Sequence, residues 1–480
     1  MQFNSYVYIL AFLPILVLVY FACNKINYLA GKIILIIGSM IFCLYGGWES
    51  FFFLVVSILI NYLFVIIITR ISRRKCFLIL DVICNVGMLF YFKYFNFVIY
   101  NIDIWFGKSY LLKEIVLPLG ISFYTFQQIM YIVDAYHGKI CVNFLDYLTY
   151  ILYFPKIIMG PLISPEDFFQ QINDGRRKQI NWENIACGMK LISFGLFKKI
   201  ILADTFVKAV NWGYTDANAL TSMDWILVML FYTFEIYFDF SGYTDMAVGS
   251  SAMLNINLPI NFDSPYKAVS VRDFWKRWHI SLTTFFTRYL YIPLGGSRKG
   301  KMRTYANTLL VFLVSGIWHG ANWTFILWGV LHGVLSIFDR IFEKVENKIN
   351  KVVKWIFTFI AVNILWLLFR ADSVSQWIFI LKRIFKFKNL AISDELLDLF
   401  ILPETPFVFD LFHLGSINMN YGMLSMLLFV FASLIICLIP KNNYRNMKSL
   451  SGITIVLSAI AYLWGFLCLS SESVFIYFNF

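Results

Sequence analysis

Charge is scarce in this chain. Asp, Glu, Lys and Arg make up 14% of its 480 residues, against roughly 25% in soluble domains. Apolar residues account for 60% and aromatic residues for 19%. A soluble fold has too little interior to hide that surface, and disorder, fibres and coiled coils are excluded with it. A single anchor on a soluble domain is excluded too, because apolar runs recur along the whole length. At about 20 residues per span, composition sets a loose ceiling of about 14 spans. The eight cysteines form no C-x-x-C pair and lie mostly inside apolar runs, so buried free thiols are expected rather than disulfides or a metal site. No G-x-S-x-G elbow, Walker loop or Rossmann glycine pattern is present. No internal repeat and no linker between folded units is visible. The stretch Tyr6 to Tyr20 lacks a basic leader and a small-residue cleavage site, so it is expected to be a first span rather than a cleaved signal.

The net charge is +12, which raises nucleic-acid binding as a first thought. The basic residues, however, fall in short clusters between apolar runs, as the positive-inside rule expects of a membrane protein. Apolar runs lie at about 6–22, 29–45, 50–69, 77–99, 115–133, 147–163, 185–210, 224–248, 304–318, 322–338, 354–369, 421–439 and 450–469. In lipid the backbone must satisfy its own hydrogen bonds, so runs of this length are helices. The basic clusters Arg70–Lys75, Arg176–Lys178, Arg298–Arg303 and Lys441–Lys448 mark cytoplasmic loops, and counting back places the N-terminus outside. Run 147–163 lies between two cytoplasmic loops and holds Pro155, Gly160 and Pro161, so it is expected to be re-entrant. Irregular backbone at that depth must be shielded by protein or line a wet cavity. On the same count Lys382, Arg383, Lys386 and Lys388 fall outside, against the rule. The spacing of Trp275, Trp278, Leu282, Phe285, Phe286 and Tyr289, with basic residues between them, predicts an amphipathic helix over 272–292 lying at the membrane interface.

Histidine is scarce, at five. His137 follows a span end and reads as a loop residue, and His413 lies in the poorly mapped stretch 371–420. His319 sits in the turn Ser315-Gly316-Ile317-Trp318-His319-Gly320-Ala321-Asn322-Trp323 between two apolar helices. An ionisable group at membrane depth is functional by default, and a neutral imidazole there is a usable general base. The alternative is a histidine that holds a helix–helix hydrogen bond, and chemistry alone leaves both open. His332, inside the next helix, is expected to pack or bond locally. Glu235 and Asp239 are four residues apart and share a helix face, with Asp245 beyond them. They invite a di-metal or proton-relay reading, but no metal-ligand spacing accompanies them. Structural ion pairs with Arg272, Lys276 or Arg277 are expected instead.

These residues resemble a known family. Pro118 through Gln127 with Tyr131-Ile132-Val133-Asp134, Tyr153-Phe154-Pro155 through Gly160-Pro161, and Tyr237-Phe238-Asp239-Phe240-Ser241-Gly242-Tyr243-Thr244-Asp245 are similar to the membrane-bound O-acyltransferase (MBOAT) family. Asn261-Phe262 to Tyr266, followed by Phe274-Trp275-Lys276-Arg277-Trp278-His279-Ile280-Ser281-Leu282, fits its bacterial branch. Ser315 through Trp323 matches its histidine signature. Trp366-Leu367-Leu368-Phe369-Arg370-Ala371 and Phe475-Ile476-Tyr477-Phe478-Asn479-Phe480 look most like the alginate O-acetyltransferase subgroup, which is related to D-alanyl transfer proteins.

The resemblance implies an all-α polytopic bundle of about 11–13 membrane helices, with re-entrant and amphipathic segments around a central tunnel. One integral-membrane domain would span 1–480, its motifs densest at about 115–340 and its C-terminal helices at about 352–470. It implies acyl transfer, acetyl first, from a cytoplasmic thioester (acetyl-CoA or an acyl-carrier protein) to a hydroxyl of an exported polysaccharide. The transfer would be direct or through an extracytoplasmic partner enzyme, across the bacterial cytoplasmic membrane. His319 maps onto the essential histidine and His279 onto a second one. Trp318, Asn322 and Asp239 would support the site, His279, Asn322 or a backbone N–H would face the oxyanion, and Lys276 and Arg277 would meet phosphates. No bound cofactor or metal is implied. D-Alanyl transfer to teichoic acid is the sister alternative. A transporter or flippase is the alternative of another class, although no paired repeats support it, and a structural scaffold with a dispensable His319 is a third.

Overall fold

A computed structural model describes residues 1–71, 74–107, 112–215, 217–346, 348–411, 421–440, 442, 445–469 and 475. Arg73, His413, Lys441 and the terminal motif other than Phe475 lie outside the described residues. All regular structure among the described residues is helical. Among the described residues, six helices are long and apolar enough to cross a membrane: Val7–Ile26, Trp48–Arg70, Arg74–Phe106, Trp323–Ile341, Lys351–Arg370 and Tyr421–Leu438. Tyr28–Leu44 and Gly452–Leu467 are shorter apolar helices. The protein is thus an all-α, multi-pass membrane protein. Large apolar side chains stay exposed on the outer helices, among them Leu18, Leu63, Phe357 and Ile453, as expected of surfaces solvated by lipid.

At the centre runs Ser222–Met253, 32 residues long and buried along nearly its whole length. It is less apolar than the outer helices because protein, not lipid, surrounds it, and it carries Glu235, Asp239 and Asp245. The Trp182–Leu196 helix packs on it through glycines seven residues apart on each partner. A Cβ on Gly188 would lie 2.5 Å from the Gly249 carbonyl oxygen, and one on Gly195 2.7 Å from that of Gly242. Small residues let membrane helices approach backbone to backbone, where dispersion supplies the attraction.

The 147–163 run is Phe144–Leu152, a break at Tyr153, the single turn Phe154–Ile157, and irregular chain to Ser164. Its residues from Tyr147 through Ile163 are buried except Leu148. Its loose backbone donors are met by side chains: Phe154 N donates to Ser39 Oγ at 3.2 Å and Leu162 N to Ser281 Oγ at 3.1 Å. Its irregular backbone is thus shielded by protein.

One expectation needs correction. Segment 272–292 is not one interfacial helix. It is Val271–Trp275, a turn at His279, Ile280–Phe286 and a π-turn Thr287–Tyr291. Trp275, Trp278, Leu282, Phe285 and Phe286 are buried. The aromatic face that suggested lipid contact is covered by protein: Trp278 stacks on Phe274 and packs on Trp366 at 4.9 Å. Lys382, Arg383 and Lys386 lie on Val374–Lys386, a helix of 13 residues too short to span, and Lys388 lies just past its end. Ile380 and Ile384 bury one face of it beside Leu220, Trp225 and Leu367.

Candidate active site

His319 is the last residue of the Lys301–His319 helix, which ends where Gly320 turns extended. A polar ring, 4% exposed, is thereby delivered to the interior rather than to a surface. The helix is held against Trp323–Ile341 at a glycine contact: a Cβ on Gly316 would lie 2.4 Å from the Phe325 carbonyl oxygen, and one on Gly329 2.4 Å from that of Phe312. Around the imidazole stand Trp318, Trp328 and Phe369, with ring centroids 4.9, 5.1 and 5.3 Å away.

His279 approaches from the broken 272–292 segment. Its backbone is left-handed at φ 45°, a conformation that costs a non-glycine residue roughly 1–3 kcal/mol and clusters at functional sites. Asn261 holds the turn, its carbonyl accepting Ile280 N at 3.0 Å and its side-chain oxygen accepting Ser281 Oγ at 2.6 Å. The ring is 1% exposed and lies edge-on to Phe240 at 4.7 Å. Among the described residues neither ring nitrogen has a hydrogen-bond partner. A buried polar group without a partner is costly, so this ring has a reason to be there other than packing. His279 and His319 flank one indole, that of Trp318, with His279 6.5 Å from it. His332 lies beyond Trp328 at 4.8 Å and accepts a hydrogen bond from Trp275 Nε1 at 3.1 Å. It bonds as expected, but to a partner far off in the chain. The indole nitrogens of Trp318 and Trp328 are buried donors with no acceptor among the described residues. His137, by contrast, is exposed at the end of Ile121–Tyr136.

The remaining candidates divide. Asn322 caps the next helix, its oxygen accepting Thr324 N at 3.1 Å while its amide donates to the Asp372 carbonyl at 2.9 Å. It clamps the turn after His319. Lys276 lines a cavity of about 340 Å³, with Arg272 and Arg340 also on the wall and Trp275, Phe312 and Ser315 among its lining residues. Ser315 is one helical turn before His319. Arg277 is engaged elsewhere, with Nε donating to Asp273 at 2.9 Å and Nη1 to the Asp263 carbonyl at 3.3 Å.

The expected partners of the acidic residues are corrected. Asp239 pairs with Lys199 at 2.7 Å, Lys199 also with Asp204 at 2.8 Å, and Asp245 with Lys198 at 2.7 Å. Both lysines lie in the π-turn Phe197–Ala203, whereas Trp278 and His279 meet the central helix through the rings of Tyr237 and Phe240. Lys198 and Lys199 were legible as consecutive charges inside an apolar run. They escaped notice because the basic 272–278 stretch offered nearer-looking partners. No group of three His, Cys, Asp or Glu among the described residues is placed to hold a metal.

Two buried histidines flanking the Trp318 indole, with a cavity that Lys276, Arg272 and Arg340 line one helical turn from His319, inside a polytopic helical bundle, match what comparison with known proteins finds. Residues 140–372 match the MBOAT, membrane-bound O-acyltransferase, family. The chain is 34% identical to the peptidoglycan O-acetyltransferase of Helicobacter pylori, over all of this chain and 97% of that protein. It is 35% identical to the protein named Probable alginate O-acetylase AlgI of Pseudomonas aeruginosa, over 82% of this chain and 76% of the relative. With the teichoic acid D-alanyltransferase of Bacillus subtilis it shares 31% identity, over 50% and 62%. The chain belongs to the membrane-bound O-acyltransferase family. It is an O-acyltransferase carried in a membrane by multiple helices.

Proposed function

We propose that this protein O-acetylates an exported cell-wall polysaccharide, peptidoglycan first, from a thioester donor on the cytoplasmic side of the bacterial inner membrane. The likeness to a peptidoglycan O-acetyltransferase over the full length of the chain favours acetyl transfer over D-alanyl transfer, whose relatives match about half of it. The observation that carries the reading is the placement of His319: buried at a helix end, beside His279, one turn from a cavity with basic walls.

In this reading the donor's phosphates meet Arg272, Lys276 and Arg340, and its acyl thioester lies along the cavity toward Ser315 and His319. A hydroxyl is a poor nucleophile until its proton is taken. His319 removes that proton as the oxygen attacks the thioester carbonyl. A C–O bond forms, the carbonyl π electrons move to oxygen, and their return expels the thiolate. The imidazolium then returns its proton to sulfur, so His319 ends as it began. The oxyanion is met by a preorganised donor, and the unpartnered N–H groups at Trp318, Trp328 and His279 are the groups in reach of that role. Aromatic walls exclude water, which would otherwise hydrolyse the thioester. An extracytoplasmic partner enzyme receives the acyl group wherever the polymer itself does not reach the site.

The acceptor is tested by deleting the gene, restoring it from a plasmid, and measuring O-acetyl ester released by mild base from purified peptidoglycan. The reading expects ester lost on deletion and regained on complementation. Unchanged peptidoglycan ester, with loss from another surface polymer or as D-alanine, would overturn the choice of acceptor or acyl group.

A further inference from the structure

The Arg74–Phe106 helix is interrupted by a π-turn at Phe90–Tyr94. Such turns add a residue to the helix and redirect side chains, often at functional sites. Here the turn aims two consecutive residues at the end of another helix. Lys93 Nζ donates to the Trp318 carbonyl at 2.7 Å and to the His319 carbonyl at 3.0 Å. Tyr94 Oη donates to the Ile317 carbonyl at 2.8 Å. The last four carbonyls of a helix have no partner inside it, and here three consecutive ones are taken by two neighbouring side chains. The ammonium also stands 5.8 Å from the centre of the Trp318 ring. No carboxylate pairs with Lys93 among the described residues. The negative end of the 301–319 helix dipole, through the carbonyls of Trp318 and His319, is the group that answers this cation.

We propose that Lys93, assisted by Tyr94, is a positioning residue for His319. It fixes the backbone of residues 317–319, so that the imidazole and the Trp318 indole keep a single placement relative to the substrate. This rests on the reading of His319 as the catalytic base. A helix end is where fraying begins, and Gly320 next to it supplies no side-chain restraint. Without Lys93 the His319 carbonyl loses this donor, and the final turn keeps only the Tyr94 hydroxyl, 2.8 Å from the Ile317 carbonyl and 3.4 Å from that of Trp318. Displacement of a reacting group by about 1 Å can cost a hundredfold in rate, and the loss falls on turnover, because the donor is held elsewhere, at the cavity wall.

The test uses the full chain in proteoliposomes, with acetyl-CoA as donor probe and peptidoglycan fragments as acceptor, and follows ester formation against donor concentration. Lys93→Met is expected to lower kcat by roughly 20-fold or more while KM for acetyl-CoA stays within about twofold. Lys93→Arg keeps the charge and several donors and is expected to recover kcat to within about fourfold. If Lys93→Met does not accumulate in the membrane, Lys93→Gln takes its place, with the same ordering below Lys93→Arg. A neutral variant with kcat within twofold of wild type overturns the proposal. So does a loss confined to KM, or a Lys93→Arg variant as impaired as the neutral one. His319→Ala, run alongside, separates the two levels. Residual turnover there above a tenth removes the catalytic reading itself, whereas wild-type kcat in Lys93→Met beside an inactive His319→Ala removes only the role of Lys93.

Discussion

Lys276 and Arg277 are neighbours of like charge, and only geometry tells them apart. Lys276 lines the cavity beside Trp275. Arg277 closes an i,i+4 pair with Asp273 and ties the turn to the Asp263 carbonyl. Lys276→Gln is therefore expected to raise KM for the thioester donor about 5- to 10-fold, the scale of about 1–1.4 kcal/mol for a lost phosphate contact, with kcat little changed. Arg277→Gln removes a partly exposed pair worth about 1 kcal/mol or less and is expected to leave that KM unchanged. Donor-saturation kinetics of the two single variants decide this; equal effects on KM would mean that the cavity is not the phosphate site. The roles of these two residues were not legible in the sequence. A charge count shows two cations, and the end of the helix at Trp275, which puts both in a turn held by long-range packing of Trp275 and Trp278, is not written in their spacing.

At the scale of elements, the two helices that bracket the Gly320 turn stand as close as they do because Gly316 and Gly329 meet. Gly316→Ala would press a methyl group to 2.4 Å from the Phe325 carbonyl, against backbone that has no rotamer to yield. Overpacking of this kind costs about 1–3 kcal/mol, and here the strain falls one turn from His319. Both thermal stability in detergent and acyl-transfer rate are expected to drop, the rate by about tenfold or more. Gly87→Ala, where an added Cβ meets nothing within 4 Å, is expected to change neither. A Gly316→Ala protein with normal rate and stability would show that the hairpin has slack. The helices themselves were readable, because continuous apolar runs in lipid leave the backbone no other choice. The 272–292 segment was misread for the same reason. Aromatic residues at helical spacing look alike whether lipid or protein covers them. The glycine pairs were missed because the sequence does not say which helices are neighbours.

For the whole molecule, we propose from the positive clusters that the N-terminus and the chain at 112–120 lie outside, and the 298–303 loop in the cytoplasm. Asn4 is buried, so Glu114, exposed and on the same side by the count, is the better outer position to label. In a background with the native cysteines replaced, Glu114→Cys is expected to react with an impermeant maleimide on intact cells. Arg303→Cys, also exposed, is expected to react only after the membrane is opened. Labelling of Arg303→Cys on intact cells would reverse the map, and the proposed direction of acyl transfer with it.

The central claim is that His319 is the base of acyl transfer, and its most direct test is turnover by purified His319→Ala of normal thermal stability, with His332→Ala beside it. A positioned general base contributes about 10²–10⁴-fold, so ester formation by His319→Ala should fall at least about a hundredfold. His332 is held by Trp275 on the far side of Trp328, and His332→Ala should retain more than about a tenth of the wild-type rate, its cost being mainly the roughly 1–3 kcal/mol of an orphaned buried donor. A folded His319→Ala protein that keeps more than about a tenth of wild-type turnover would contradict the account and move the base to His279.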